Sequence, residues 1–92
     1  MEKAKFPLGQ LVATPGALAA LSQANQDPLE LLSRHQHGDW GDLSAEDKHE
    51  NEFSILNNLR ILSAYTLTTG VKVWIITEAD RSASTILLPD EY

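Results

Sequence analysis

Glu78, Asp80 and Arg81 fall within four residues, and a carboxylate beside a guanidinium can move a proton next to an anchored phosphate. Tyr65 and Lys72 lie upstream in a stretch that reads as strand, so sheet pairing can bring them alongside. In that arrangement Glu78 is a base, Arg81 a phosphate anchor and Tyr65 a second acid, the parts of a small nuclease or toxin-like enzyme. Two features weigh against it. No histidine follows His49, so none lies where a small ribonuclease often keeps its general acid. Asp80 and Arg81 also suit a turn, with Asp80 accepting from amides and Arg81 pairing with Glu78 or Asp80, an exposed pair worth about 0–1 kcal/mol.

A second cluster, His35, His37, Asp39 and Asp42, has the right residue types for a metal. On a helix, however, residues two apart point roughly 200° away from each other. Solvated histidines in a last helical turn, favoured by the dipole, are the simpler reading. No metal is expected. The segment Asp39-Trp40-Gly41-Asp42 has two readings. It is a partner loop, since tryptophan is a common hot-spot residue, or a connector whose Trp40 plugs the core while the aspartates accept from turn amides. No glycine-rich phosphate loop, Ser/His/Asp ordering or HExxH helix occurs, and Ser63, Ser82 and Ser84 lack a glycine elbow. No cofactor is called for.

The 92 residues allow one small domain. Without cysteine there is no disulfide scaffold, thiolate zinc site or cysteine nucleophile. No apolar run is long enough for a membrane span, and no export leader is visible, so a cytoplasmic protein is expected. Seven basic residues against 13 acidic ones give a charge of −6, and the basic ones are scattered. Nucleic acid is therefore not an expected partner.

Residues 1–6 are expected to fray, leaving 7–92 as the domain. Thr14-Pro15 and Asp27-Pro28 are helix starts, each a capping side chain followed by proline. Ala17, Leu18, Leu21 and Ala24 stripe the first helix; Leu29, Leu31 and Leu32 carry the second, which Gly38 ends. Ser44 to Asp47 begins a third, whose buried face is expected at Phe53, Leu56 and Leu59. From Arg60 the pattern alternates. Thr68-Thr69-Gly70 reads as a three-residue hairpin loop, and Ala79 to Ser82 as a four-residue turn. These lengths set Tyr65 opposite Val73 and Trp74 opposite Leu87. The expected fold is α+β: three N-terminal helices on a three-stranded antiparallel meander, with a short extra strand available at Gly9 to Thr14.

One sheet face collects Ile61, Tyr65, Leu67, Val73, Ile75 and Ile86, and must pack on the helices. The other still holds Trp74, Ile76 and Leu87, so this sheet reads as covered on both sides. That second face is closed from within the chain or serves as a surface for a protein partner or a second copy.

Several stretches are similar to a family of small, largely uncharacterised bacterial proteins of plasmids and other mobile elements, often described only as plasmid-related. They are Phe6 to Gln10, Gly38 to Leu43, Leu62 to Tyr65, Val73 to Ser82 and Ile86 to Pro89. The resemblance implies an intracellular accessory protein and carries no catalytic residues. Together these readings favour a non-enzymatic interaction protein acting through Trp74, Ile76 and Leu87, or through Asp39, Trp40 and Asp42. The barnase-like nuclease with Glu78, Arg81 and Tyr65 is the alternative.

Overall fold

The computed structural model describes residues 3–92. Helices α1 (Pro15–Ala24) and α2 (Pro28–Gln36) each begin with proline behind a capping side chain. Thr14 accepts from the Ala17 amide at 3.1 Å and Asp27 from the Leu29 amide at 2.9 Å, satisfying donors that a first turn leaves orphaned. Left-handed Asn25 stops α1. Ser44 caps α3 (Ala45–Asn57) by accepting from the Asp47 amide at 3.1 Å.

The alternating half of the chain forms β2 (Ile61–Thr66), β3 (Lys72–Thr77) and β4 (Ala83–Leu87), followed by a 3-10 turn at Pro89–Glu91. Turn length sets register here. Tyr65 lies opposite Val73, Ser63 and Ile86 both lie opposite Ile75, and Trp74 lies opposite Leu87. A further strand, β1 (Gln10–Ala13), pairs parallel to β4, giving the order β1-β4-β3-β2. The sheet is therefore four-stranded and mixed, not a three-stranded antiparallel meander. Without β1, the outer backbone groups of β4 would lack partners. Instead the Gln10 and Thr14 amides donate to Ser82 and Ile86 carbonyls at 2.9 and 3.0 Å. Gly9 makes this approach feasible: its φ is +67°, and a Cβ there would sit 2.4 Å from the Arg81 carbonyl oxygen.

α1 and α2 bring Ala17, Leu21, Leu31 and Leu32 onto Tyr65, Leu67, Val73, Ile75 and Ile86. A smaller cluster joins Phe6, Trp40 and Ile61. Residues 3–6 are not all free. The Lys5 amide donates to the Gln36 carbonyl at 2.9 Å, the Gln36 carboxamide donates back to the Phe6 carbonyl at 2.9 Å, and Phe6 is buried. Residues 1 and 2 of the expected frayed segment lie outside the described residues.

The expected buried stripe of α3 is reversed. Phe53, Leu56 and Leu59 face solvent, Leu56 at 83% exposure, while Asn51 and Ser54 are buried. The reason lies in the edge of the sheet. β2 is an edge strand, and the Asn51 carboxamide accepts from the Leu62 amide at 3.1 Å and donates to its carbonyl at 2.6 Å. Backbone pairing, not apolar burial, decides which side of α3 turns inward.

Candidate functional site

The nuclease-like residues do not converge. Tyr65 and Glu78 lie toward opposite ends of the β2–β3 pair, because Tyr65 faces Val73 while Ile61 faces Thr77. Four residues of strand separate the two ends, about 13 Å. Tyr65 is buried. Its hydroxyl donates to the Asp39 carbonyl at 2.7 Å, and desolvation pushes its pKa up to about 12. Arg81 is held by carbonyls through both terminal nitrogens. One donates to Leu59, Glu78 and Ala79 (2.7, 3.1 and 3.0 Å), the other to Ser54 at 2.9 Å. It thus fastens the β3–β4 turn to the C-terminal end of α3, where helix carbonyls need donors. Glu78 pairs instead with Arg60 at 3.4 Å, exposed.

The Asp39–Asp42 loop is a seal. The Trp40 carbonyl accepts from the Ala64 amide at 3.1 Å, and the Asp42 amide donates to the Ala64 carbonyl at 2.7 Å, closing the second outward position of β2. Asp42 also accepts from Thr66 Oγ1 at 2.7 Å. Gly41 bridges to Ala64 with φ +75°, and a Cβ there would lie 1.9 Å from the Ala64 oxygen. Trp40 is buried, its indole N–H donating to Glu52 at 3.0 Å. Asp39 takes a 2.7 Å bond from Arg34, which holds its carboxyl below the usual range.

Trp74, Ile76 and Leu87 are also largely satisfied within the chain. Ile76 and Leu87 are buried and Trp74 half-buried. The C-terminal turn folds back on β3, bringing the Tyr92 ring edge-on to Trp74 at 5.9 Å. Glu91 anchors it, accepting from Thr14 Oγ1 at 2.6 Å and the Leu88 amide at 2.8 Å.

His35 is not a solvated last-turn residue. It is fully buried on the Leu31, Leu32, His35 stripe, between Phe6 and Trp40, whose rings it meets edge-on at 5.2 and 5.8 Å. A chain of bonds fixes its tautomer. Ser84 Oγ donates to the Leu8 carbonyl at 2.8 Å, so it must accept from Thr77 Oγ1 at 2.6 Å. Thr77 in turn accepts from His35 Nε2–H at 2.9 Å, leaving Nδ1 to accept from Ser63 Oγ at 2.5 Å. Ser63 and His35 thus have the contact of a nucleophile and its base. Both are fully buried, along with Thr77 and Ser84, so no substrate reaches them. Desolvation pushes the His35 pKa down to about 3. His37 turns elsewhere, its Nδ1 donating to the Ser33 carbonyl at 2.7 Å, and no group of three or more potential metal ligands forms among the described residues.

The β1 edge stays open. In β1, Gln10 and Val12 direct their backbone groups to β4, as the Thr14 amide just beyond it does, so Leu11 and Ala13 direct theirs outward. Among the described residues nothing bonds to these groups. Beside this edge lies an apolar groove of about 150 Å³, lined by Leu11, Ala13, Leu18, Leu29, Leu32 and Ile86 among others. Leu11, Val12, Leu18 and Leu29 are 49, 41, 49 and 60% exposed. Sequence reasoning placed Leu18 and Leu29 on core stripes. For Leu18 the available signal was the absence of any charged residue from Pro7 to Gln26; Leu29, between Asp27 and Glu30, carried none.

No helix among the described residues is long and apolar enough to cross a membrane. No family model, curated protein or solved structure matches this chain.

Proposed function

We propose that this chain is a non-enzymatic protein-interaction module whose working surface is the β1 edge and the adjoining apolar groove. One contrast carries the reading. The β2 edge is closed by Asn51 and the Trp40–Asp42 loop at Leu62 and Ala64, two of its three outward positions, whereas among the described residues nothing bonds to either outward position of β1. Exposed edges are usually blunted by charge, proline or a bulge. The only blunting feature of β1 is its shortness, and four exposed aliphatic side chains frame it. An extended segment added there gains main-chain bonds along β1 and a groove for a side chain, the pattern of strand addition. In the setting that the family resemblance implies, this is a cytoplasmic accessory protein of a bacterial mobile element.

Capture from host cells tests the reading, using the parent, Leu29→Glu and Glu78→Gln. A protein retained by the parent and Glu78→Gln but lost with Leu29→Glu supports it; retention of the same proteins by all three contradicts it. Leu29 is exposed, so its replacement leaves the core intact.

A further inference from the structure

Building on the β1 reading, we infer that the occupant of this edge is a second copy of the chain, paired antiparallel through β1 about a two-fold axis at Val12. The outward positions are Leu11 and Ala13, two residues apart. An antiparallel partner that sets Leu11 opposite Ala13 of the second copy satisfies all four groups on each side, because each such pair exchanges two hydrogen bonds. The same operation sets Ala13 opposite Leu11 of the second copy. Val12 then meets its own symmetry mate as the closer, non-hydrogen-bonded pair.

Side chains fit this register. Leu11 and Ala13 lie on the helix-covered face, as their β4 partners Ser84 and Ile86 do. Leucine therefore lies opposite alanine twice, and each Leu11 enters the space beside Ala13 under Leu18 and Leu29 of the other copy. Such large-against-small pairing is self-complementary, as a two-fold interface requires.

Charge and area point the same way. The protein carries −6, so two copies repel over most orientations, yet Pro7 to Gln26 has no charged residue. β1 and α1 thus bring no charge of their own to the interface, and Glu91, Asp27 and Glu30 lie only at its margins. Leu11, Val12, Leu18 and Leu29 expose roughly 350 Å² per copy, within the range of a functional patch. Doubled, and with the strand backbones and polar rim added, this approaches about 1,000 Å², the lower bound for a specific interface. A reversible dimer follows, not an obligate one.

The absence of cysteine makes the register directly testable. Val12→Cys places one thiol on the proposed axis, about 4.5 Å in Cα separation from its mate, within disulfide range. Under oxidised glutathione it is expected to give a covalent dimer of twice 10.1 kDa at concentrations where Lys72→Cys, on an exposed position of β3, stays monomeric. Sedimentation of the cysteine-free parent should show mass rising with concentration, and Leu11→Lys should abolish the rise. A parent that remains monomeric at millimolar concentration overturns the inference, as does a dimer that survives Leu11→Lys. If a monomeric parent still captures a host protein that Leu29→Glu loses, only the second copy is wrong. If it captures none, the interaction reading fails as well.

Discussion

Acidification should destabilise this protein through His35. The imidazole has a pKa of about 3 in the fold against an ordinary 6.5, because burial penalises its charged form. Its bonds reinforce that penalty. Nδ1 must accept from Ser63, and a proton there turns two donors toward each other inside a closed cavity. The unfolded chain binds more protons between these two values, so the His35 contribution is complete above pH 6.5 and is lost as pH falls toward 3. Each pH unit in that window costs about 1.4 kcal/mol, giving about 2 kcal/mol between pH 7.5 and 5.0. The full window approaches about 5 kcal/mol, comparable to the whole stability of a small domain. Urea unfolding of the parent and of His35→Gln at matched pH isolates the effect, since the remaining titrating groups are common to both. The parent should lose about 2 kcal/mol more than the variant by pH 5.0. The His35 ring resonances should stay at their neutral positions to the same pH. Parallel pH slopes for parent and variant, or a ring that titrates near 6.5, would refute the reasoning.

Gly41→Ala should cost more than about 3 kcal/mol in chemical denaturation, because the new Cβ collides with the Ala64 carbonyl at a positive φ. Asn51→Ala should cost about 2–3 kcal/mol by leaving the Leu62 amide and carbonyl without partners, and Asn51→Asp should be worse, since its second oxygen would face a carbonyl. Arg81→Ala should lose about 2–4 kcal/mol with its carbonyl bonds, and Arg81→Gly less, because φ +62° suits glycine. The parent should cleave no RNA at any pH between 5 and 8; cleavage abolished by Glu78→Gln in a folded variant would restore the nuclease alternative.

Local rules carried far in this chain. The capping pairs Thr14-Pro15 and Asp27-Pro28, the Gly70 loop and the four-residue turn at Ala79–Ser82 are each determined by neighbouring residues, and the sheet register follows from them. What escaped was decided by pairing across long sequence separations. The parallel contact of β1 with β4 joins residues about seventy apart, and nothing in Gly9–Thr14 states which strand it will meet. Asn51 points inward because the β2 edge needs a donor and an acceptor, a need visible only once that edge exists. His35 was legible in part, since it continues the Leu31–Leu32 stripe, but its partners Ser63 and Thr77, and Ser84 beyond Thr77, come from three separate strands. The groove was masked by the same periodicity that identified the helices: Leu18 and Leu29 are helical apolar residues like their buried neighbours, and only the open strand beside them sets them apart.

Amide exchange at single-residue resolution, followed from dilute to concentrated protein, tests the central claim most directly. The Leu62 and Ala64 amides, already donating to Asn51 and Trp40, should be protected at every concentration. The Leu11 and Ala13 amides should exchange freely in dilute solution and become protected together as concentration rises, with Leu11→Lys removing that protection. Fast exchange at Leu11 and Ala13 under all conditions would contradict the account.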